Sequence, residues 1–174
     1  PIDGTQSFIH GVPFYTTLIG ILIDNNPEVG VIYAPALEEM ASAAVGHGCT
    51  LNGENTGVRE CAVLSKATFL TTEVSTFKQH GFSDPFSELL NKTRLHRTWG
   101  DAYGHMMVAT GRADIMIDPI LNIWDAAALL PIVTEAGGSY TDVLGKPSIE
   151  TGNAITTNSS LLPEILSLFD TKDD

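Results

Sequence analysis

Two runs dense in isoleucine, leucine and valine, residues 14–24 and 29–33, stand on either side of Asn25-Asn26-Pro27. β-Branched residues favour extended backbone, and so short a connection between two strands makes them antiparallel neighbours. Residues 39–45 supply a third strand, and Gly46, Gly48 and Gly53 mark the turns that follow. The chain therefore opens as a meander. Beyond residue 66 the pattern changes to short strands near 67–72, 113–117, 139–141 and 154–157, alternating with helical stretches at 85–90, 105–110, 123–136 and 161–169. A polar stretch runs to Asp84-Pro85, which read as N-cap and first residue of the helix 85–90. Gly111 closes the helix 105–110, and Gly137-Gly138 close 123–136, in which Pro131 predicts a kink or a later start.

Meander followed by alternation is the signature of an α/β chain built from layered sheets and helices rather than one barrel. Residues 1–66 are expected to form a sheet subdomain and 67–174 an α/β subdomain of one globular unit. At 174 residues and 43% hydrophobic content, the chain is long enough to bury a core of that kind.

Charge narrows the function. Twenty-one acidic residues against nine basic ones give a net charge of −12, which disfavours nucleic acid or an anionic membrane surface as partner and favours cations. A small anionic substrate would be repelled unless a metal ion reversed the local sign. Cys49 and Cys61 lie in no CxxC or Cys/His spacing, and no run approaches the ~20 apolar residues of a membrane span. The expected compartment is the cytoplasm.

The densest chemistry lies in Ile2-Asp3-Gly4-Thr5. Asp3 can ligate a hard cation, Gly4 lets backbone N–H groups approach a phosphate, and Thr5 can orient a water. Asp-Gly-Thr is also the composition of an ordinary turn. A second segment, residues 118–125, runs from the end of a strand into an Ala-rich helix. Asp125 there is either a first-turn carboxylate favoured by the helix dipole or a metal ligand held by a rigid element. The five histidines, His10, His47, His80, His96 and His105, show no HxH or HxxxH spacing and are read as structural or surface residues.

Pro1-Ile2-Asp3-Gly4-Thr5 resembles part of the D-P-I-D-G-T signature of the inositol monophosphatase family. Trp124-Asp125-Ala126-Ala127-Ala128 with Glu135-Ala136-Gly137-Gly138 resembles its W-D-x-A-A…E-A-G-G signature. Gly30-Val31-Ile32-Tyr33-Ala34-Pro35 and Ala109-Thr110-Gly111-Arg112-Ala113-Asp114 are similar to its G-V-I-x-x-P and A-T-G-x-A-D segments, in the same order. Gly4 to Ile9 with Gly11-Val12-Pro13, and Trp99-Gly100-Asp101-Ala102-Tyr103-Gly104, are most similar to the histidinol-phosphatase branch, although Gln6 stands where that branch usually has lysine.

The resemblance implies Mg²⁺-dependent hydrolysis of a small phosphate monoester, most readily histidinol phosphate, by a homodimer using two metal ions to activate water. It assigns Asp3, Asp125 and the Ile2 carbonyl to metal, Gly4 and Thr5 to phosphate, and Asp3 and Thr5 to the catalytic centre. Gly100, Asp101 and Asp118 would face the substrate, where two carboxylates suit an ammonium group. Arg97 is a candidate substrate-side cation, with a solvated strand-end arginine as its other reading. The resemblance further implies that a first carboxylate immediately precedes Pro1 and a Glu pair lies farther upstream, so that residues 1–174 alone are expected to be inactive. Other members' substrates, inositol 1-phosphate among them, are the alternative within the family, and a non-catalytic acidic metal-binding domain is the alternative outside it.

Overall fold

The computed structural model describes residues 2–170; Pro1 of the opening motif and residues 171–174 of the acidic tail lie outside the described residues. A short helix, α1 (Thr5–Ile9), leads into the meander β1 (Thr17–Ile23), β2 (Asn26–Ala34), β3 (Glu39–Ala44), β4 (Cys49–Leu51) and β5 (Glu54–Thr56), antiparallel throughout and in chain order. There follow β6 (Thr68–Leu70), α2 (Val74–Gln79), α3 (Ser83–Lys92), β7 (Leu95–Arg97), α4 (Asp101–Ala109), β8 (Ile115–Asp118), α5 (Ile123–Glu135), β9 (Gly138–Thr141), β10 (Ala154–Asn158) and α6 (Leu162–Phe169). The second sheet has the order β7-β6-β8-β10-β9, with β6 parallel to both its neighbours and β10 antiparallel to both of its own.

Apolar faces set the layering. Ile32, Ala34, Ala41 and Ala43 of the first sheet join Ala102, Met106, Ala127, Leu129 and Ile132 of α4 and α5, and Tyr140 and Ala154 of the second sheet, in one buried cluster. α4 and α5 are thus the filling between two sheets. The far face of the second sheet buries Phe69, Ile115, Ile117 and Ile155 under Phe77, Leu89 and Ile165 of α2, α3 and α6. The outward face of the first sheet carries no such cover among the described residues. Its register aligns Ile19 with Val31 and Thr17 with Tyr33 and Met40, leaving Ile19 52% and Ile21 49% exposed.

Several local expectations shift. The first hairpin turns one residue early, because Asp24 and Asn25 take the positive φ of a primed turn, and Asn26 and Pro27 already belong to β2. The helix expected at residue 85 begins at Ser83 behind Phe82, which places Pro85 third, where its missing N–H still costs nothing. The polar stretch before it contains α2, whose single buried residue, Phe77, gave no readable period. α5 is continuous from Ile123 through Pro131, so the later start does not occur.

Two of the motif segments prove architectural. Glu135 ends α5, where the dipole disfavours a carboxylate, yet its oxygens accept the N–H groups of Gly46 (3.0 Å) and Gly48 (2.7 Å) in the β3–β4 turn. Buried Asp114 accepts the backbone N–H of Thr68 at 2.6 Å and the guanidinium of Arg59, fastening the second sheet to the segment that leads into it. The two turn amides hold the Glu135 carboxyl below its ordinary 4.5. A depressed folded value stabilises above the unfolded value and is lost as pH falls through the folded one. Glu135→Gln should therefore cost about 1 kcal/mol at pH 7, after discounting for partial exposure, and less at pH 3. Urea unfolding at the two pH values tests this, and an equal cost at both would refute it.

Candidate active site

The cleft lies where five elements end. Asp3 and Thr16 form an isolated antiparallel bridge, their backbones bonded in both directions at 3.0 Å. The Thr16 hydroxyl donates to Asp3 Oδ2 at 2.7 Å, and the Ala102 N–H at the start of α4 donates to the same oxygen at 3.0 Å. Asp3 is thereby fixed through one oxygen, with no hydrogen bond to the other among the described residues. Gly4 follows at φ +71°, and a Cβ there would meet the Phe14 carbonyl at 2.9 Å and Asp101 Oδ2 at 3.2 Å. Only glycine lets this loop turn into α1 so close to Asp101. The Thr5 hydroxyl donates to the Ile2 carbonyl at 2.9 Å, closing the loop on itself.

Opposite stands the stretch between β7 and α4. Gly100 lies so tightly against Thr72 that a Cβ would sit 2.2 Å from the Thr72 Cα. Asp101 adopts a positive φ of 53°, strained for a residue with a side chain, and its N–H donates to Thr72 Oγ1 at 2.8 Å. Asp118 at the end of β8 is buried. Its Oδ1 accepts the Thr72 N–H at 3.2 Å, and its Oδ2 accepts Nε2–H of the wholly buried His105 at 3.2 Å. The other nitrogen of that ring is bonded to the Thr156 hydroxyl at 2.7 Å. Asp125 sits in the first turn of α5, after Asn122 as N-cap.

These side chains line two adjoining hollows of about 780 and 250 Å³, both bounded by Asp3, Thr72, Glu73, Asp101 and Asp125. Ile2, Gly4, Thr5, Gln6 and Gly100 border the larger, and Asp118 the smaller. The structure thus gathers every sequence-derived site residue except Arg97. That side chain lies over the Trp99 ring at 6.0 Å, donates to the His96 carbonyl, and borders a separate apolar recess. Thr16, Thr72 and His105 escaped attention as positioning groups. Thr72 follows a strand end facing the cleft, where α/β sheets place their ligands, and that was its one available signal; no spacing links His105 to Asp118.

Electrostatics say what the cleft would take. Burial raises the Asp3 carboxyl above its ordinary value against the pull of its Thr16 and Ala102 bonds, and burial with the charge of Asp3 raises Asp125. Burial, then repulsion from Asp3, Asp118 and Asp125, pushes Asp101 up to about 7. Among the described residues, no lysine, arginine or histidine lines either hollow to offset this. A crowd of oxygen donors without a counter-charge fits a hard divalent cation. Among the described residues, no three His, Cys, Asp or Glu side chains form a ready cage, so the fit is that of a partial ligand set.

Residues 1–173 match the inositol monophosphatase family. The chain is 41% identical over 162 residues to the histidinol-phosphatase of Chlorobaculum parvum, covering 93% of this chain and 62% of the relative. It is 37% identical over 175 residues to that of Streptomyces coelicolor, covering 95% and 66%. An inositol monophosphatase structure from Zymomonas mobilis superposes with a TM-score of 0.92 at 31% identity, over 98% of this chain and 68% of that one. The chain thus spans somewhat less than two thirds of the length of these curated relatives.

Proposed function

The chain belongs to the inositol monophosphatase family, and from that premise we propose that its cleft serves the Mg²⁺-dependent hydrolysis of a small phosphate monoester, histidinol phosphate, to the alcohol and inorganic phosphate. The observation that carries this is the convergence of Asp3, Asp101 and Asp125 on one hollow that also borders the first turn of α1 and, among the described residues, contains no cationic side chain.

Asp3, Asp125 and the Ile2 carbonyl would hold Mg²⁺, which when bound supplies Lewis-acid stabilisation of the phosphoryl oxygens and an activated water. The remaining work belongs to the chain. Thr16 and the Ala102 N–H fix Asp3 through Oδ2, so its orientation is set before any ligand arrives. The Thr5 hydroxyl spends its proton on the Ile2 carbonyl and keeps its lone pairs, which lets it accept a hydrogen bond from a water beside the phosphate. The first-turn N–H groups of α1 have no intrahelical acceptor and suit phosphate oxygens.

The substrate's ammonium group is assigned to Asp101. His105 and Thr72 already occupy both oxygens of Asp118, which leaves Asp118 to steady the wall behind. The 41% identity to a histidinol-phosphatase supports the same substrate, and cytoplasmic homodimers remain our reading of the assembly. Inositol 1-phosphate is the competing substrate, favoured by the Zymomonas mobilis likeness.

A panel of histidinol phosphate, inositol 1-phosphate and fructose 1,6-bisphosphate, assayed with Mg²⁺, decides between them. The chain should be tested as it stands and joined to the remaining third of its relatives' length. Histidinol phosphate should lead by at least about tenfold in kcat/KM, a difference of ~1.4 kcal/mol that one desolvated ammonium–carboxylate pair can supply. A lead by inositol 1-phosphate would overturn the substrate, and no turnover of any ester by the longer chain would overturn the phosphatase reading.

A further inference from the structure

Away from the carboxylates, β6, β7, α2 and α3 border a half-open recess of about 230 Å³ lined by Phe69, Thr71, Val74, Phe86, Leu90 and His96, together with Arg97 and Thr98. Its interior is mostly hydrocarbon. Thr71 is 3% exposed, and its Oγ1 has no hydrogen-bond partner among the described residues. Side chains alternate across a strand. Phe69 faces α2 and α3, Leu70 packs with Val108 and Met116 on the opposite side, and Thr71 therefore shares the Phe69 side, where the recess lies. The Thr71 N–H still bonds the Arg97 carbonyl at 3.2 Å, so the ladder's direction carries through this residue.

Buried hydroxyls are almost always paired, and one left over beside a hollow marks a position that a ligand can satisfy. A lone water serves poorly there, because it needs two to four polar partners and the walls are aromatic and aliphatic. The charge of the occupant also follows. Arg97 borders the recess with its guanidinium already engaged by Trp99 and the His96 carbonyl, so the occupant need carry no charge to satisfy it.

We propose that this recess is a second binding site, separate from the carboxylate cleft, for a neutral molecule the size of one ring that carries a single hydroxyl or carbonyl group. Its ring lies between Phe69, Phe86 and Leu90, and its polar group bonds Thr71 Oγ1. A cavity of ~150 Å³ accommodates benzene, so this volume admits a ring with one substituent. The site backs directly onto the cleft. Thr98 borders both, and Thr71 precedes Thr72, which grips Asp101 and Asp118.

Phenol and toluene, rings of equal size with and without a hydroxyl, are the probes. Titrated into the chain and followed by the methyl signals of Val74 and Leu90, phenol should bind saturably and about fivefold tighter than toluene, the worth of one net hydrogen bond. Thr71→Val, which removes the hydroxyl at nearly constant shape, should abolish that preference while toluene binding stays the same. Leu90→Phe, which fills the hollow, should remove both. Absence of saturable shifts with either ring, equal affinity of the two for the unaltered chain, or a phenol preference that survives Thr71→Val would each overturn the proposal.

Discussion

Asp125→Asn should lower Mg²⁺-supported phosphatase turnover by about a thousandfold, or ~4 kcal/mol of transition-state stabilisation, in the longer chain that joins these residues to the remaining length of their relatives. The substitution keeps the shape of the side chain and its place in the first turn of α5, but removes one of the two side-chain charges assigned to the metal. It also relieves a crowd, since burial and the charge of Asp3 are what raise the Asp125 carboxyl. Without Mg²⁺ the variant should therefore melt no lower than the unaltered protein. With saturating Mg²⁺ it should fail to gain the stabilisation that binding confers on the folded state. Thermal melts with and without the ion, run beside the assay, separate loss of the site from loss of the fold. Turnover within threefold of the unaltered protein would remove Asp125 from the metal site. Asp3→Asn is a less clean probe, because Asp3 Oδ2 also anchors Thr16 and the start of α4.

Gly30→Ala should lower the melting temperature by roughly 6–12 °C, from an overpacking cost of about 3 kcal/mol. Gly30 sits mid-way along β2, facing α5, and an added Cβ would stand 2.2 Å from the Ala128 carbonyl oxygen and 3.0 Å from Pro131 Cγ. Neither obstacle is the free end of a flexible chain. One is helix backbone and the other a ring, so α5 itself must retreat. That retreat would carry Asp125 with it, and activity should fall along with stability. Circular dichroism melts of the 174-residue chain measure the first effect, and a shift under about 2 °C would show that the layers slide apart more easily than their packing implies.

Both predictions draw on features visible in the sequence to different degrees. The meander was legible because its first two strands are rich in β-branched residues and its turns carry glycine or asparagine, and α5 because an Ala-rich stretch ends at Gly137-Gly138. The order of layers was not, since it depends on which faces meet. The glycines that let α5 approach, Gly20 and Gly30, look in sequence like ordinary strand interruptions. α4 was placed four residues too late because its first residue, Asp101, has a positive φ that no propensity anticipates. In the cleft, Asp3 and Asp125 could be named as candidates, but nothing short of family resemblance brought them together across more than a hundred residues. Thr72 and His105 act through a backbone amide and a buried ring, contacts that leave no trace in composition. Arg97 carried two readings in sequence, substrate-side cation and solvated strand-end arginine, and only its side-chain direction, over Trp99 and outside the cleft, separates them.

The uncovered face of the first sheet bears on how this chain behaves in bulk solution. Among the described residues β1 is an edge strand with no strand paired to its outer side, and Ile19, Ile21 and Ile23 are exposed. Colloidal repulsion between molecules that each carry a net charge of −12 opposes adhesion of such ribbons. That repulsion reaches about 10 Å at 0.1 M ionic strength and only about 3 Å at 1 M. Raising the salt, or lowering the pH toward the isoelectric point near 4.6, should then take a dispersed preparation of this chain to a clustered one.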